Sequence, residues 1–168
     1  RDLGEWIGAT SHGLFNFAPG VRPVPLDIRV TGIDIVNFEA RMQAMARPVY
    51  STICQHAADG EPSIVFVPTR KHAKLASLDL LTFAAADGKP QKFLACDPED
   101  LAPHIGKISD SAVRHALGFG VALLHESMDS DERELVERVF SSGAATVLVV
   151  TAPLAWGLTA SCKLSVIM

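Results

Sequence analysis

Cysteine is scarce in this chain: Cys54, Cys96 and Cys162 are an odd number, far apart, with no Cys-x-x-Cys pair and no histidine at ligand spacing. That argues against a disulfide framework and against a structural zinc site, and it predicts reduced, buried thiols of an intracellular protein. No apolar run reaches the roughly 18 residues that a membrane-spanning helix needs, so no membrane partner is expected, and Arg1-Asp2 does not open a secretory leader. No excess of positive charge is present either. A formal net charge of −4 gives no global attraction to a polyanion, so any contact with RNA or DNA has to be local.

The catalytic motifs are missing as well. No Gly-x-Ser-x-Gly elbow is present, and Ser127 stands between Glu126 and Met128 without the glycines a sharp turn requires. His125-Glu126 begins like a zinc-hydrolase motif, but no second histidine follows four residues after the first. Gly106-Lys107-Ile108-Ser109 contains the Gly-Lys pair of a phosphate loop, yet leucine at 101 replaces its first glycine, and no Asp-Glu pair closes an apolar strand to hold magnesium. Binding the metal and neutralising charge on a transferring phosphate needs both elements. No catalytic residue and no metal ligand is therefore assigned, and the chain is not expected to be a complete ATPase.

What is present is a folded α/β chain. Of its 168 residues 48% are hydrophobic, enough to offset ordering entropy by burial. Leu3, Trp6 and Ile7 have helical spacing, and Thr10-Ser11-His12-Gly13 breaks that pattern. Pro19, Pro23 and Pro25 then force an extended passage. Leu26–Val30 alternates like a strand, and Phe38–Ala57 reads as a helix with Met42, Met45 and Val49 on one face. Ser63–Pro68 is short, β-branched and apolar on both faces, as a central parallel strand would be. A helix is expected over Lys71–Ala86, a short one ending at Leu117, and another from about Asp129 to a stop at Gly143. Gly118–Leu124, Thr146–Val150 and Leu164–Met168 complete a set of buried strands. Such alternation predicts a parallel sheet with right-handed crossovers. The apolar ending Leu164-Ser165-Val166-Ile167-Met168 reads as the middle of a domain, so the sequence is expected to be a piece of a longer polypeptide.

Function in an open α/β sheet collects in the loops leaving the carboxyl ends of its strands. Here these are Pro68-Thr69-Arg70-Lys71, Leu124-His125-Glu126-Ser127-Met128 and Thr151-Ala152-Pro153-Leu154-Ala155-Trp156-Gly157. Thr69 and Arg70 at a helix start admit two readings. One is a phosphate cradle; the other, commoner on composition, is a cap with a solvated arginine. A lone histidine such as His125 near a strand end is usually structural.

With those loops in view, the chain resembles the second RecA-like lobe of a DExH-box superfamily-two helicase, in the branch of large RNA helicases with two tandem cassettes. Asp2–Gly8 resembles the end of a preceding lobe, and Phe15-Asn16-Phe17 with Val21-Arg22-Pro23-Val24-Pro25-Leu26 resembles the passage between lobes. The resemblance thus implies an interlobe linker through residue 25 and the second lobe over residues 26–168. Ile64–Lys71 resembles motif IV, Gly120–Met128 with Arg133 and Phe140 resembles motif IVa, and Thr151–Cys162 resembles motif V. The resemblance implies nucleic-acid contacts at Thr69, Arg70, His125, Thr151 and Pro153, and a nucleotide-facing role for Gly157 and Thr159. ATP with magnesium would be held mainly by a lobe outside this sequence.

Several family positions are altered. Leu124, Glu126 and Ser127 replace the first His and the Ala-Gly of a His-His-Ala-Gly turn, Pro153 replaces a hydroxyl residue, and Thr159 replaces Asn. Pro153 removes a hydroxyl and an N–H, and Glu126 adds negative charge where phosphate should face. Ser11–Phe17, Leu124-His125-Glu126, Phe140–Ala144 and Val166-Ile167-Met168 are most similar to the C-terminal cassette of the large spliceosomal helicases. That likeness implies a nuclear, degenerate regulatory and docking cassette, with spliceosomal proteins, RNA, the preceding lobe and an N-terminal unwinding cassette as partners. The alternative is a lobe of an active ATPase, such as the tandem helicases of transcription coactivation and alkylation repair.

Overall fold

The computed structural model describes residues 2–10, 12–57 and 60–168. They fall into two compact units, 1–32 and 33–168. The expected loop at Thr10–Gly13 includes Ser11, which lies outside the described residues.

The first unit holds one short helix, α1 (Asp2–Trp6), and a 3-10 turn at Pro19–Val21. Between them the rings of Phe15 and Phe17 stack with centroids 6.5 Å apart. Leu26–Val30 is not a strand. Leu26, Ile28 and Val30 alternate as expected, but all three are exposed, Val30 at 91%. Alternation makes a strand only where a neighbour accepts and donates the ladder hydrogen bonds, and these residues have no place in the sheet. Along the sequence the two compact units divide between Gly32 and Ile33.

The second unit opens with α2 (Phe38–His56), capped by Asn37, whose side chain accepts from the Ala40 N–H at 3.0 Å. The core strand β1 (Ser63–Val67) leads into α3 (Arg70–Ala86). The buried face of α3 is His72, Ala73, Ala76, Ser77, Leu80, Leu81 and Ala84, so small residues let the helix lie close to the sheet. Two short helices follow, α4 (Pro98–Ile105) and α5 (Ser111–Leu117), capped by Asp97 and Asp110. Then come β2 (Val121–Leu124), α6 (Ser130–Ser141), β3 (Val147–Thr151) and β4 (Leu164–Ile167). Asp131 and Glu132 in the first turn of α6 complement its positive end.

The four strands pair in parallel, in the order β2-β3-β1-β4. The chain crosses from β1 past β3 to β2, then returns one place to β3. Right-handed connections in opposite directions put α3 and α5 on one face and α6 on the other. This is the expected α/β architecture, a parallel sheet flanked by helices.

Two expectations need correction. The strand at the end of the chain is not buried. It pairs on one side only, with β1, and alternates half-buried Leu164 and Val166 with exposed Ser165 and Ile167. Nor are the cysteines buried: Cys54, Cys96 and Cys162 are each only partly covered. Gly106-Lys107 also lies at the carbonyl end of α4, with the Gly106 N–H bonded to the Ala102 carbonyl at 3.1 Å. A phosphate loop needs the opposite polarity, a helix beginning after it.

Candidate nucleic-acid interface

Because β1, β2 and β3 run parallel and lie side by side, their carboxyl ends bring the three singled-out loops to one edge. Leu124 is in register with Val150, and Val67 with Thr151.

Thr69 caps α3. Its Oγ1 accepts from the His72 N–H at 3.4 Å and lies 2.7 Å from His72 Nδ1. A hydroxyl has one proton and two lone pairs, so these bonds leave it little capacity for an outside oxygen, and the cap reading describes what Thr69 does in the fold. Arg70 is half exposed and donates from Nη2 to Asp110 Oδ2 at 3.2 Å. Lys74, one turn further along α3, donates to the same oxygen at 2.7 Å. The other oxygen of Asp110 accepts from the Ala112 N–H at 2.9 Å and starts α5. These bonds, the Lys74 ammonium first, hold the Asp110 carboxyl down at about 2.

His125 sits directly behind this group. Its Nε2 is 3.8 Å from Asp110 Oδ2, and its ring is only 2% exposed. Neither ring nitrogen has a hydrogen-bond partner among the described residues. Burial, reinforced by the Arg70 charge, lowers the pKa of His125, so the ring stays neutral. The structure therefore places His125 under the edge rather than on its outer surface.

Glu126 turns outward, but its carboxylate reaches back to accept from Thr151 Oγ1 at 2.8 Å. The Glu126 N–H and this hydroxyl lower the pKa of the carboxyl. Thr151 is fully buried, so its hydroxyl is committed to Glu126. Beyond it, Pro153 is exposed in a 3-10 turn, Ala152–Leu154, and Trp156 is 98% exposed. The Gly157 N–H bonds the Leu154 carbonyl at 3.1 Å, closing a tight turn.

Thr69, Arg70, His125, Thr151 and Pro153 are thus gathered on the carboxyl edge. Thr159 is not. The chain doubles back after Gly157, and Thr159 lines a hollow with Gly60, Pro62, Phe140 and Thr146, beside the amino ends of β1 and β3. Sequence reasoning passed over Asp110 and Lys74. The signals were present: Ser109-Asp110-Ser111 is a cap signature before a helix, and Lys74 is one helical turn from Arg70.

No family model matches the chain. Individual proteins do. The chain is 48% identical over 170 residues to the DExH-box ATP-dependent RNA helicase DExH12 of Arabidopsis thaliana. It is 44% identical over 168 residues to the human U5 small nuclear ribonucleoprotein 200 kDa helicase, and 39% identical over 168 residues to the protein of that name from Drosophila melanogaster. Each match covers all of this chain and 8% of the relative. Identity of this order along the entire sequence, on a parallel α/β lobe, means that the chain matches one segment of the DExH-box RNA helicases.

Proposed function

We propose that this segment is the second RecA-like lobe of a spliceosomal-type RNA helicase, in a cassette that regulates and docks rather than unwinds. In that setting it works in the nucleus, beside a partner lobe that holds most of the ATP and magnesium, as part of a machine acting on small nuclear RNA duplexes. Gly157, in the turn that leaves the carboxyl edge, is the residue through which it would face the nucleotide; Thr159, in the hollow beside the amino ends of β1 and β3, lies off that edge. The observation carrying the degenerate reading is the closure of Thr151 onto Glu126 at 2.8 Å. A hydroxyl that the family presents to a phosphate backbone is here satisfied by a carboxylate, which would itself repel phosphate. Pro153, exposed in the next turn, has neither hydroxyl nor N–H to compensate.

Replacing both residues tests this. Glu126→Ala frees the Thr151 hydroxyl and removes a charge, and Pro153→Thr restores a donor. The double variant is expected to bind single-stranded RNA severalfold more tightly, with the log–log salt slope steeper by about 0.7 for each phosphate gained. The measurement is an RNA titration at several salt concentrations. Unchanged affinity and slope would mean that these positions do not face RNA.

A further inference from the structure

Asp110 is placed as a bound phosphate would be. One of its oxygens, Oδ2, is shared by the Lys74 ammonium at 2.7 Å and the Arg70 guanidinium at 3.2 Å, with His125 Nε2 at 3.8 Å. A carboxylate and a phosphodiester are both singly charged, with two outward oxygens, and both suit a guanidinium fork. The carboxylate is largely enclosed, at 15% exposure, whereas Arg70 and Lys74 keep 45% and 33%. The cations can therefore be reached from solvent while their partner is held behind them.

Asp110 is also fixed in position. It caps α5 through Ala112, and the preceding Ser109 N–H is held by Glu132 Oε1 at 2.6 Å. Its partners are two long, part-exposed side chains of α3, whose charged ends can turn from the carboxylate to an incoming anion.

We propose that Asp110 is an internal stand-in for a backbone phosphate, occupying the charges of Arg70 and Lys74 at the carboxyl edge so that RNA binds there only by drawing them away. This rests on the reading of that edge as the RNA-facing one. It assigns to Asp110 the role of setting the affinity, independently of the Glu126–Thr151 closure on the neighbouring loop.

The test uses a single-stranded oligouridine, titrated against the chain by fluorescence anisotropy over a range of salt concentrations. Asp110→Asn keeps an oxygen to accept from Ala112 while removing the charge, and Asp110→Ser is a second neutral cap should the first fold poorly. Asp100→Asn removes the same charge from α4, beside Cys96 and Ala144 near the amino edge, and serves as control. Expected is a roughly tenfold gain in affinity for Asp110→Asn, with a slope steeper by about 0.7 per phosphate engaged. Asp100→Asn should gain far less, and Arg70→Gln with Lys74→Gln should abolish the gain. Equal effects of Asp110→Asn and Asp100→Asn, or a gain surviving the loss of Arg70 and Lys74, would overturn the proposal. If the Arg70/Lys74 double variant in the unaltered background weakens binding while Asp110→Asn does nothing, the RNA-facing edge stands and the stand-in role falls. If no substitution changes binding, both fall.

Discussion

Gly120→Ala is expected to cost more than about 4 kcal/mol and to lower the melting temperature by roughly 8–16 °C for a chain of this size. Gly120 has a φ of +84°, and a Cβ there would overlap the carbonyl of Phe93 and the Leu94 nitrogen. The left-handed conformation alone costs about 1–2 kcal/mol for a residue with a Cβ. The remainder comes from the backbone overlap, which no rotamer change relieves. The segment cannot easily retreat, because the Phe93 carbonyl accepts from both the N–H and the hydroxyl of Thr146, each at 3.0 Å. Pushing it away would pull on the first residue before β3. Gly143 provides the comparison: its φ is +82° but a Cβ would meet nothing within 4 Å, so Gly143→Ala should cost only about 1 kcal/mol. Urea denaturation of both variants measures the difference, and similar midpoints would show that the Phe93–Leu94 crossing yields to a methyl group.

Asp110→Ala should destabilise the fold by about 2 kcal/mol at neutral pH. The bonds from Lys74, Ala112 and Arg70 that hold its carboxyl at about 2, against an ordinary 3.8, correspond to an effect of that order. Because the folded value is depressed, the contribution is complete above about pH 4 and is lost as pH falls through the folded value. The gap between wild type and variant should therefore be constant from pH 7 to about pH 4, then narrow towards pH 2. Denaturation midpoints at stepped pH read this directly. A gap independent of pH down to 2 would mean that the carboxylate contributes through packing and not through its charge.

Much of the fold was legible because its signals are local. Ile64–Val67 and Val147–Val150 are unbroken apolar runs dominated by β-branched residues, which only a strand covered on both faces tolerates. The ends of α3 and α6 were marked by Thr69 and Gly143. Leu26–Val30 failed because alternation carries no information about whether a partner strand exists, and Leu164–Ile167 because apolarity does not reveal an edge. At the site, the gathering of the three loops followed from parallel topology alone. The central carboxylate did not: Asp110 meets Arg70 and Lys74 across 40 and 36 residues of sequence, and no periodicity spans such a distance. Nor could the sequence foresee that Thr159 is carried to the far side of the sheet by the return to β4.

The strand order fixes when each strand can find shelter as the chain folds. β2 and β3 are joined through α6 alone, so this pair can close over a short loop, with a small entropic cost. β1 must wait. Ser63 meets Val147 on one side and Leu164 on the other, and both are made long after it. During synthesis Ser63–Val67 leaves the ribosome with neither neighbour available, and it gains its first one only when β3 has emerged. Late insertion of a central strand between partners from the far end of the chain makes folding slow, and it leaves an apolar, hydrogen-bond-hungry segment open to other chains in the interval.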